Sequence, residues 1–250
     1  MGFGALLMNR SVVAGASFIA MAAVNPAFAA PPAIYNWTGF YVGGNVGYSF
    51  GKADTNLSDP ALALFGSTGA FPVSLHPDGI IGGGQFGYNW QNGPAIFGFE
   101  TDFQGADERA GTAYVCDTEG STCTRDARIN WFGTVRGRIG WLISPATMLY
   151  GTAGLAYGKV SVSGSFLPFF DPTSGYSFGE SRLNVGLAVG GGIEGAVAGL
   201  NGWTVKAEYL YLDLGSLRGT GLDPIFSTTY SWDARFADHI VRIGFNYKLP

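Results

Sequence analysis

The sequence has little charge and almost no histidine, and both shortages narrow the function classes. Charged residues make up 13% of the 250 residues, hydrophobic residues make up 47%, and the formal net charge is −4. Low charge with high hydrophobicity excludes intrinsic disorder. Without a basic excess, the chain lacks the electrostatic footprint of a nucleic-acid-binding protein. The two histidines, His76 and His239, are far apart and assemble no metal cluster or catalytic triad, so we expect no cofactor and no enzymatic activity.

Cysteine is nearly absent as well. Cys116 and Cys123 are the two cysteines of the chain, and they flank a short polar segment. In an exported chain, two neighbouring cysteines predict a local disulfide. A metal site is the alternative, because Asp117 and Glu119 lie between them, but no histidine is near enough to complete it. We expect the disulfide to order its short loop and to contribute little further stability.

Long hydrophobic runs are missing after residue 30, and the run before it is short. Arg10 precedes an apolar segment, Val12–Val24, and the sequence Ala-Phe-Ala at 27–29 then forms a cleavage pattern. This order is typical of a secretory signal peptide. A membrane anchor is the alternative, but about 13 apolar residues are fewer than the ~20 that span a bilayer as a helix. We assign residues 1–29 to a signal peptide and residues 30–250 to one domain.

Glycine and aromatic residues are abundant instead, and they alternate along the chain. The sequence contains 40 glycines, which is more than double the usual share of ~7%. Near residue 40, Phe40, Val42 and Val46 fall on one face, while Asn45 and Ser49 fall on the other. Successive side chains of a strand point to opposite faces, so this segment predicts a strand with an apolar-aromatic face and a small, polar face. The pattern recurs seven more times, which predicts eight strands.

The connections between these strands are alternately short and long. In an up-and-down arrangement, alternate connections lie at opposite ends, so the long ones share one end and the short turns share the other. That layout, with an even number of strands, is typical of outer-membrane barrels. We predict an all-β fold, an eight-stranded antiparallel up-and-down transmembrane β-barrel with four long outer loops. The predicted loops are Gly51–Asp78, Gly105–Arg128, Lys159–Ser181 and Gly215–Phe236.

The polar faces are predicted to point into the barrel. They consist mainly of Gly, Ala, Ser, Asn and Thr, and a narrow eight-stranded lumen is only wide enough for side chains to fill. Aromatic residues near the ends of the apolar faces suit a membrane–water boundary. The inner charges, four acids and four bases, predict a paired network that plugs the lumen, because unpaired buried charges are costly; solvated surface charges are the alternative. The predicted network is Glu100, Asp102, Arg136, Arg138, Glu194, Lys206, Glu208 and Arg242.

Pairing of neighbouring strands predicts which of these charges meet. Strands of a sheet lie ~4.8 Å apart, so opposite charges on adjacent strands can form salt bridges. Glu100 and Asp102 are predicted to face the strand that carries Arg136 and Arg138. Glu208 is predicted to face the strand that carries Arg242.

Several motifs together resemble one family. The segment 37–48 (WTGFYVGGNVGY), just after the signal peptide, resembles the first strand of the small outer-membrane porin-like β-barrel proteins of alphaproteobacteria, in the OmpA-like transmembrane barrel superfamily. Similar motifs cover essentially the whole mature chain, and they are specific in combination. They are GGGQFGYNW (82–90), WFGTVRGRIG (131–140), YGTAGLAY (150–157), KAEYLY (206–211) and VRIGFNYK (241–248).

The resemblance implies a protein of the cell outer membrane of a Gram-negative bacterium, with a role in envelope integrity and surface presentation. It implies outer-membrane lipids and lipopolysaccharide as surroundings, the barrel-assembly machinery as a partner, and a host or surface ligand as a candidate partner of the loops. Haem binding is attributed to some relatives, but no residue set here carries it over. Members usually end on an aromatic residue, so either Tyr247 serves this role or Leu249-Pro250 makes insertion less efficient.

Two functions stand as alternatives to the structural role. A diffusion channel for small solutes would differ in having an open lumen. A surface-binding protein would act through its loops, and the third loop carries a candidate apolar contact patch, a feature that often marks a contact site. Packing within the loop, or contact with lipid headgroups, would explain the same patch. It comprises Phe166, Leu167, Phe169 and Phe170.

Overall fold

The architecture is seen in a computed structural model that describes residues 35–61, 70–117, 119–171, 173, 175–223 and 226–250. The predicted signal peptide lies outside the described residues. No helix among the described residues is long and apolar enough to cross a membrane. The described residues form nine antiparallel strands that follow one another in sequence. They are β1 (Gly39–Ser58), β2 (Ala70–Leu75), β3 (Asp78–Asn92), β4 (Ala95–Val115), β5 (Thr122–Ser144), β6 (Thr147–Leu167), β7 (Tyr176–Ala196), β8 (Trp203–Leu222) and β9 (Thr229–Lys248).

The sheet closes into a ring. β1 pairs with β3, strands β3 to β9 pair in sequence, and β9 returns to β1. The closing ladder is long: it runs from Tyr41 opposite Lys248 to Ser58 opposite Ser231. Closure pairs the two strands that would otherwise be edges, where unpaired backbone groups invite aggregation. The predicted all-β, antiparallel, up-and-down arrangement is therefore confirmed.

Within the described part of the chain there are nine strands where eight are predicted, and β2 is the additional one. It lies in the first predicted loop and pairs with the outer part of β1, where Leu75 lies opposite Ala53. β3 pairs with the rest of β1, where Asp78 lies opposite Phe50. The two registers are continuous, so β2 and β3 follow one line along β1. Pro77 separates them because proline has no backbone N–H to donate to the ladder.

The predicted loops are wrong in extent, because much of each is strand. Every strand except β2 and β3 has 20 residues or more. Alternation continues through the predicted loops with its sense reversed, since apolar side chains there point inward and polar ones outward. The search for apolar-outward strands misses this inverted pattern. The connections at this end of the ring reduce to residues 59–69, 116–121, 168–175 and 223–228.

The ring thus has two halves with opposite patterning. We call the half next to the short turns the turn half, and the half next to the longer connections the loop half. In the turn half of β9, Ile243 and Phe245 are exposed on the outer face, and Arg242 is buried inside. In the loop half of β9, Trp232 and Phe236 are buried inside instead.

Apolar clusters fill the ring on either side of its buried charges. On β4, Glu100 follows Ile96 of a small cluster at the turn end, and on β5, Arg136 follows Phe132 of the main cluster. The buried charges therefore lie between two apolar layers. The small cluster comprises Trp37, Ile96, Met148 and Tyr150. Members of the main cluster in the loop half include Leu57, Phe71, Val160, Phe166, Leu217 and Trp232.

Candidate functional site: a charge network inside the ring

The eight predicted charges all face the inside of the ring and form one connected network. Each is at most 3% exposed. They share this placement because each occupies an inward position of the alternating pattern in the turn half. The members are Glu100 and Asp102 on β4, Arg136 and Arg138 on β5, Glu194 on β7, Lys206 and Glu208 on β8, and Arg242 on β9.

Arg136 joins three carboxylates. Its Nη2 lies 2.7 Å from an oxygen of Glu100 and 2.8 Å from an oxygen of Asp102. Its Nη1 lies 3.1 Å from an oxygen of Glu208, on the opposite side of the lumen. Glu100 is its register partner on β4, as strand pairing predicts. The guanidinium therefore bridges the lumen from wall to wall.

Arg242 and Lys206 complete the connections. Arg242 Nη2 lies 2.9 Å from Asp102 and 2.5 Å from Glu208, its register partner on β8. Lys206 Nζ lies 2.8 Å from both carboxylate oxygens of Glu100. Glu100, Asp102 and Glu208 thus each have at least two cationic neighbours, and such pairing is the condition under which buried ionised groups are tolerated.

Arg138 contacts the predicted neighbouring strand and a further one. Its Nη1 lies 3.7 Å from an oxygen of Glu100 on β4, as strand pairing predicts, while its Nη2 lies 2.7 Å from Glu194 on β7. Its guanidinium carbon also lies 4.2 Å from the ring centroid of Tyr150 and 5.8 Å from that of Tyr41. Adjacent strands alone do not decide the partner, because a long arginine side chain crosses this narrow lumen.

Two tyrosines belong to the network although the charge pattern does not point to them. The Tyr41 hydroxyl donates to Glu100 at 2.9 Å, and the Tyr150 hydroxyl donates to Glu208 at 3.0 Å. Both rings occupy inward positions among small polar residues, so strict alternation is the signal that identifies them. Asn246 also contributes, donating to Glu194 at 2.8 Å.

This arrangement is suited to closing the lumen. Its acids and bases neutralise one another, and each carboxylate accepts hydrogen bonds from more than one donor. Breaking a buried pair from one side leaves an uncompensated charge, which costs far more than the intact pair contributes. Among the described residues, no group of three or more His, Cys, Asp or Glu side chains could hold a metal ion.

A different acidic group lies in the loop half. Glu108 of β4 is fully buried, and its outward neighbours Asp107 and Arg109 carry exposed charges, which places it beyond the apolar outer band. Burial raises the pKa of the Glu108 carboxyl far above the usual range, and the nearby Asp238 carboxylate adds to this rise. Because its pKa is raised this far, the Glu108 carboxyl is protonated at neutral pH. The neighbouring Asp238 carboxylate accepts a hydrogen bond from the Ser49 hydroxyl.

The remaining predicted residues lie at the loop end. Cys116 and Cys123 are joined by a disulfide, with their Cα atoms 5.8 Å apart. The predicted contact patch is not one surface, because Phe166 is buried inside the ring and packs against Tyr176 with the two rings tilted. Its inward position on β6 continues the reversed alternation of the loop half. Phe169 and Phe170 are 61% and 79% exposed, and Leu167 is also exposed.

Comparison with known proteins identifies the family. The family model of the outer membrane protein beta-barrel domain matches residues 16–248. The 31 kDa outer-membrane immunogenic protein of Brucella melitensis is 37% identical over 88% of this chain and 87% of its own length. The 22 kDa outer membrane protein of Rhizobium leguminosarum is 34% identical over 86% of this chain and 79% of its own.

A solved structure shares the fold. The outer membrane protein OprG from Pseudomonas aeruginosa aligns with a TM-score of 0.50 at 12% identity, over 87% of this chain and 100% of that one. The family match, the alphaproteobacterial relatives and the closed sheet agree with one another. The chain belongs to the family of outer membrane protein β-barrel domains and is an outer-membrane protein of a Gram-negative bacterium.

Proposed function

We propose that the chain is an eight-stranded transmembrane barrel with a structural and surface-presenting role, without enzymatic activity and without an open pore. The charge network carries this proposal. Arg136 reaches Glu100 on one wall and Glu208 on another, so a guanidinium occupies the space that a channel would need. Apolar layers above and below add to the obstruction.

The strand geometry supports the eight-stranded barrel. β2 and β3 share one line along β1, so eight positions around the ring are filled. The outward side chains of the turn half are apolar and exposed, as a lipid-facing band requires. Examples from six strands are Val46, Phe99, Ile139, Leu155, Val189 and Ile243.

Surface presentation is supported by the loop half, where strands and connections extend beyond the apolar band. The Brucella relatives are named immunogenic proteins, which fits exposure of this end of the ring. Leu167, Phe169 and Phe170 would be the contact residues for a surface ligand, since their side chains are exposed. Replacing Phe169 and Phe170 with serine should reduce adhesion of cells that display the protein; unchanged adhesion would remove these residues from the proposal.

Export completes the proposed assignment. Residues 1–29 would serve as the signal peptide, and the barrel-assembly machinery would insert residues 30–250 among outer-membrane lipids and lipopolysaccharide. Mass spectrometry of the membrane-extracted protein should give a mature chain that begins at Ala30. A full-length chain in the outer membrane would contradict this assignment.

Planar-bilayer conductance tests the closed lumen. The purified protein should show no steady single-channel current, whereas Glu100→Ala and Arg136→Ala should add conductance by removing side chains from the lumen. Arg235→Ala is the matched control, because Arg235 pairs with Asp213 at 2.6 Å on the outer surface. A steady current through the unaltered protein that Arg136→Ala leaves unchanged would favour the diffusion channel instead. Slower gel migration after boiling would independently establish a folded barrel in each variant.

A further inference from the structure

One buried guanidinium in the loop half has no carboxylate partner. Arg125 of β5 is 2% exposed, and its Nη1 donates to the neighbouring backbone oxygen of Thr124 at 2.6 Å. Among the described residues, its Nε and Nη2 meet no hydrogen-bond acceptor. Burial lowers the pKa of this guanidinium. The residues outside the described ranges add no carboxylate, since none of them is Asp or Glu.

This position differs from that of the other buried cations. Arg136, Arg138, Lys206 and Arg242 each have a carboxylate oxygen within 3 Å. A buried charge without a counter-ion is strongly unfavourable. Arg125 is thus the one buried cation of the described chain that lacks an anion, and the two nitrogens it leaves unused share one edge of the guanidinium. That edge is the one that binds a carboxylate or phosphate through two parallel hydrogen bonds.

Aromatic side chains lie near the guanidinium. Its central carbon lies 5.2 Å from the ring centroid of Phe178, and the Tyr114 hydroxyl, another buried donor, also has no partner among the described residues. Gly164 of β6 lies beneath both groups: a Cβ atom there would come within 2.9 Å of Arg125 Nη1 and 2.8 Å of Phe178. The missing side chain allows the cation and the ring to meet.

The wall beside Phe178 is closed by side chains. The ladder between β7 and β8 covers Leu187–Ala196 of β7, and the described residues of β7 beyond it, Tyr176–Gly186, have no register partner on β8. Phe178 instead stacks on Trp232 of β9 at 5.5 Å. Beside Phe178, the described residues of β7 and β8 are therefore not joined by a backbone ladder.

We propose that Arg125 anchors a binding site for a small organic anion, with a carboxylate or phosphate head on an apolar or aromatic body. The head would accept from Arg125 Nε and Nη2 and from the Tyr114 hydroxyl. The body would pack against Phe178 and its aromatic neighbours. The ligand would reach the site between β7 and β8, through the part of the wall that side chains close and no backbone ladder joins. This site lies outside the charge network and adds a ligand to the proposed structural role.

Isothermal titration calorimetry on the full barrel in lipid nanodiscs tests the site, with empty nanodiscs as the blank. The probes are 4-phenylbutyrate, phenyl phosphate, and 4-phenylbutanol as a neutral analogue of the same shape. At least one anion should bind about tenfold or more tightly than the alcohol, since hydrogen bonds to a charged group are lost in the alcohol. The ratio of the two anions distinguishes a carboxylate from a phosphate head.

Two arginine variants distinguish anion binding at Arg125 from nonspecific attraction of the anion to positive charge on the protein. Arg125→Met should weaken the preferred anion about tenfold or more, while Arg128→Met, an outward-facing arginine three residues along β5, should bind it like the unaltered protein. Equal binding by the two variants would overturn the proposal, as would equal affinity for anion and alcohol. If Arg125→Met does not fold, the comparison of probes on the unaltered protein decides, and absence of anion binding at millimolar concentration overturns the site.

Discussion

The two halves of the ring use the same strands with opposite patterning. On the turn half, apolar side chains face outward and charges face inward; on the loop half, the apolar side chains face inward. The boundary is visible on two neighbouring strands, where Phe103 stacks on Trp131 at 5.4 Å and the next outward positions include Arg109 and Arg128. The surroundings of the wall, and not the strand itself, decide which face is apolar.

The difference explains how each half is stabilised. The loop half resembles a soluble β protein, since a contiguous apolar cluster with buried Leu57, Leu217 and Trp232 fills it. The turn half cannot use its apolar residues in this way, because they are needed on the outside. Its interior is held by ion pairs and hydrogen bonds, whose loss on one side only is unusually costly. The same kind of substitution should therefore change the free energy of unfolding by different amounts in the two halves.

The largest effect is expected inside the turn half. Arg136→Ala should lower the free energy of unfolding by ~3–5 kcal/mol, because it leaves three buried carboxylates short of a partner. Arg235→Ala, which removes an exposed ion pair at the loop half, should cost less than ~1 kcal/mol. Urea titration of the heat-modifiable form in lipid vesicles measures both. Similar losses in the two variants would mean that the network is not buried as described.

The outer face should show the next largest contrast. Ile243→Lys places a charge in the apolar band of β9 and should cost ~2–4 kcal/mol. Ser231→Lys, outward on the loop half of the same strand, should change stability by less than ~0.5 kcal/mol. The same urea titration compares them. Equal tolerance at the two positions would contradict a lipid-facing band that ends between them.

Close packing inside the loop half predicts a smaller effect. Gly219→Ala should cost ~1–3 kcal/mol through overpacking, because its Cβ would come within 2.5 Å of the Trp232 ring. Gly105→Ala is the matched control, since the nearest atom to its Cβ would be 3.7 Å away. An unchanged urea midpoint for Gly219→Ala would show that Trp232 is free to move.

The smallest effect concerns Glu108 and depends on pH. Its pKa is raised in the folded protein, so above the unfolded carboxyl pKa of ~4.3 the folded state keeps a proton that the unfolded state releases. Stability from this group is thus complete below that pH and declines as pH rises. Glu108→Gln should raise stability at pH 8 by ~1 kcal/mol or more, with the gain vanishing near pH 4.

Urea titrations at several pH values measure this gain. Glu180→Gln, at a partly exposed carboxylate paired with Arg182, serves as the control for removing a carboxylate from the loop half. A gain from Glu108→Gln that is the same at acidic and alkaline pH would refute the protonated carboxyl.

The sequence predicts the turn half well and the loop half poorly, for a physical reason. Apolar-outward alternation is a regular signal over residues such as Val241–Tyr247, and inward charges such as Glu100 and Arg136 follow directly from it. In the loop half the signal inverts, so Thr122–Ile129 looks like a polar loop although Cys123, Arg125 and Ala127 are inward strand residues. Contacts across the lumen, such as that of Arg138 with Glu194, depend on how far a side chain reaches. The order of the strands alone does not predict them.

The inversion along a single strand is the most direct test of this account. Spin labels at outward cysteines on β9, placed at 231, 233, 235, 241, 243 and 245 in vesicles, would report contact with oxygen in lipid or with a polar nickel reagent in water. The native cysteines are joined to each other and would not take the label. The account predicts oxygen-accessible labels at 241, 243 and 245 and nickel-accessible labels at 231, 233 and 235. Nickel access at all six positions would contradict it.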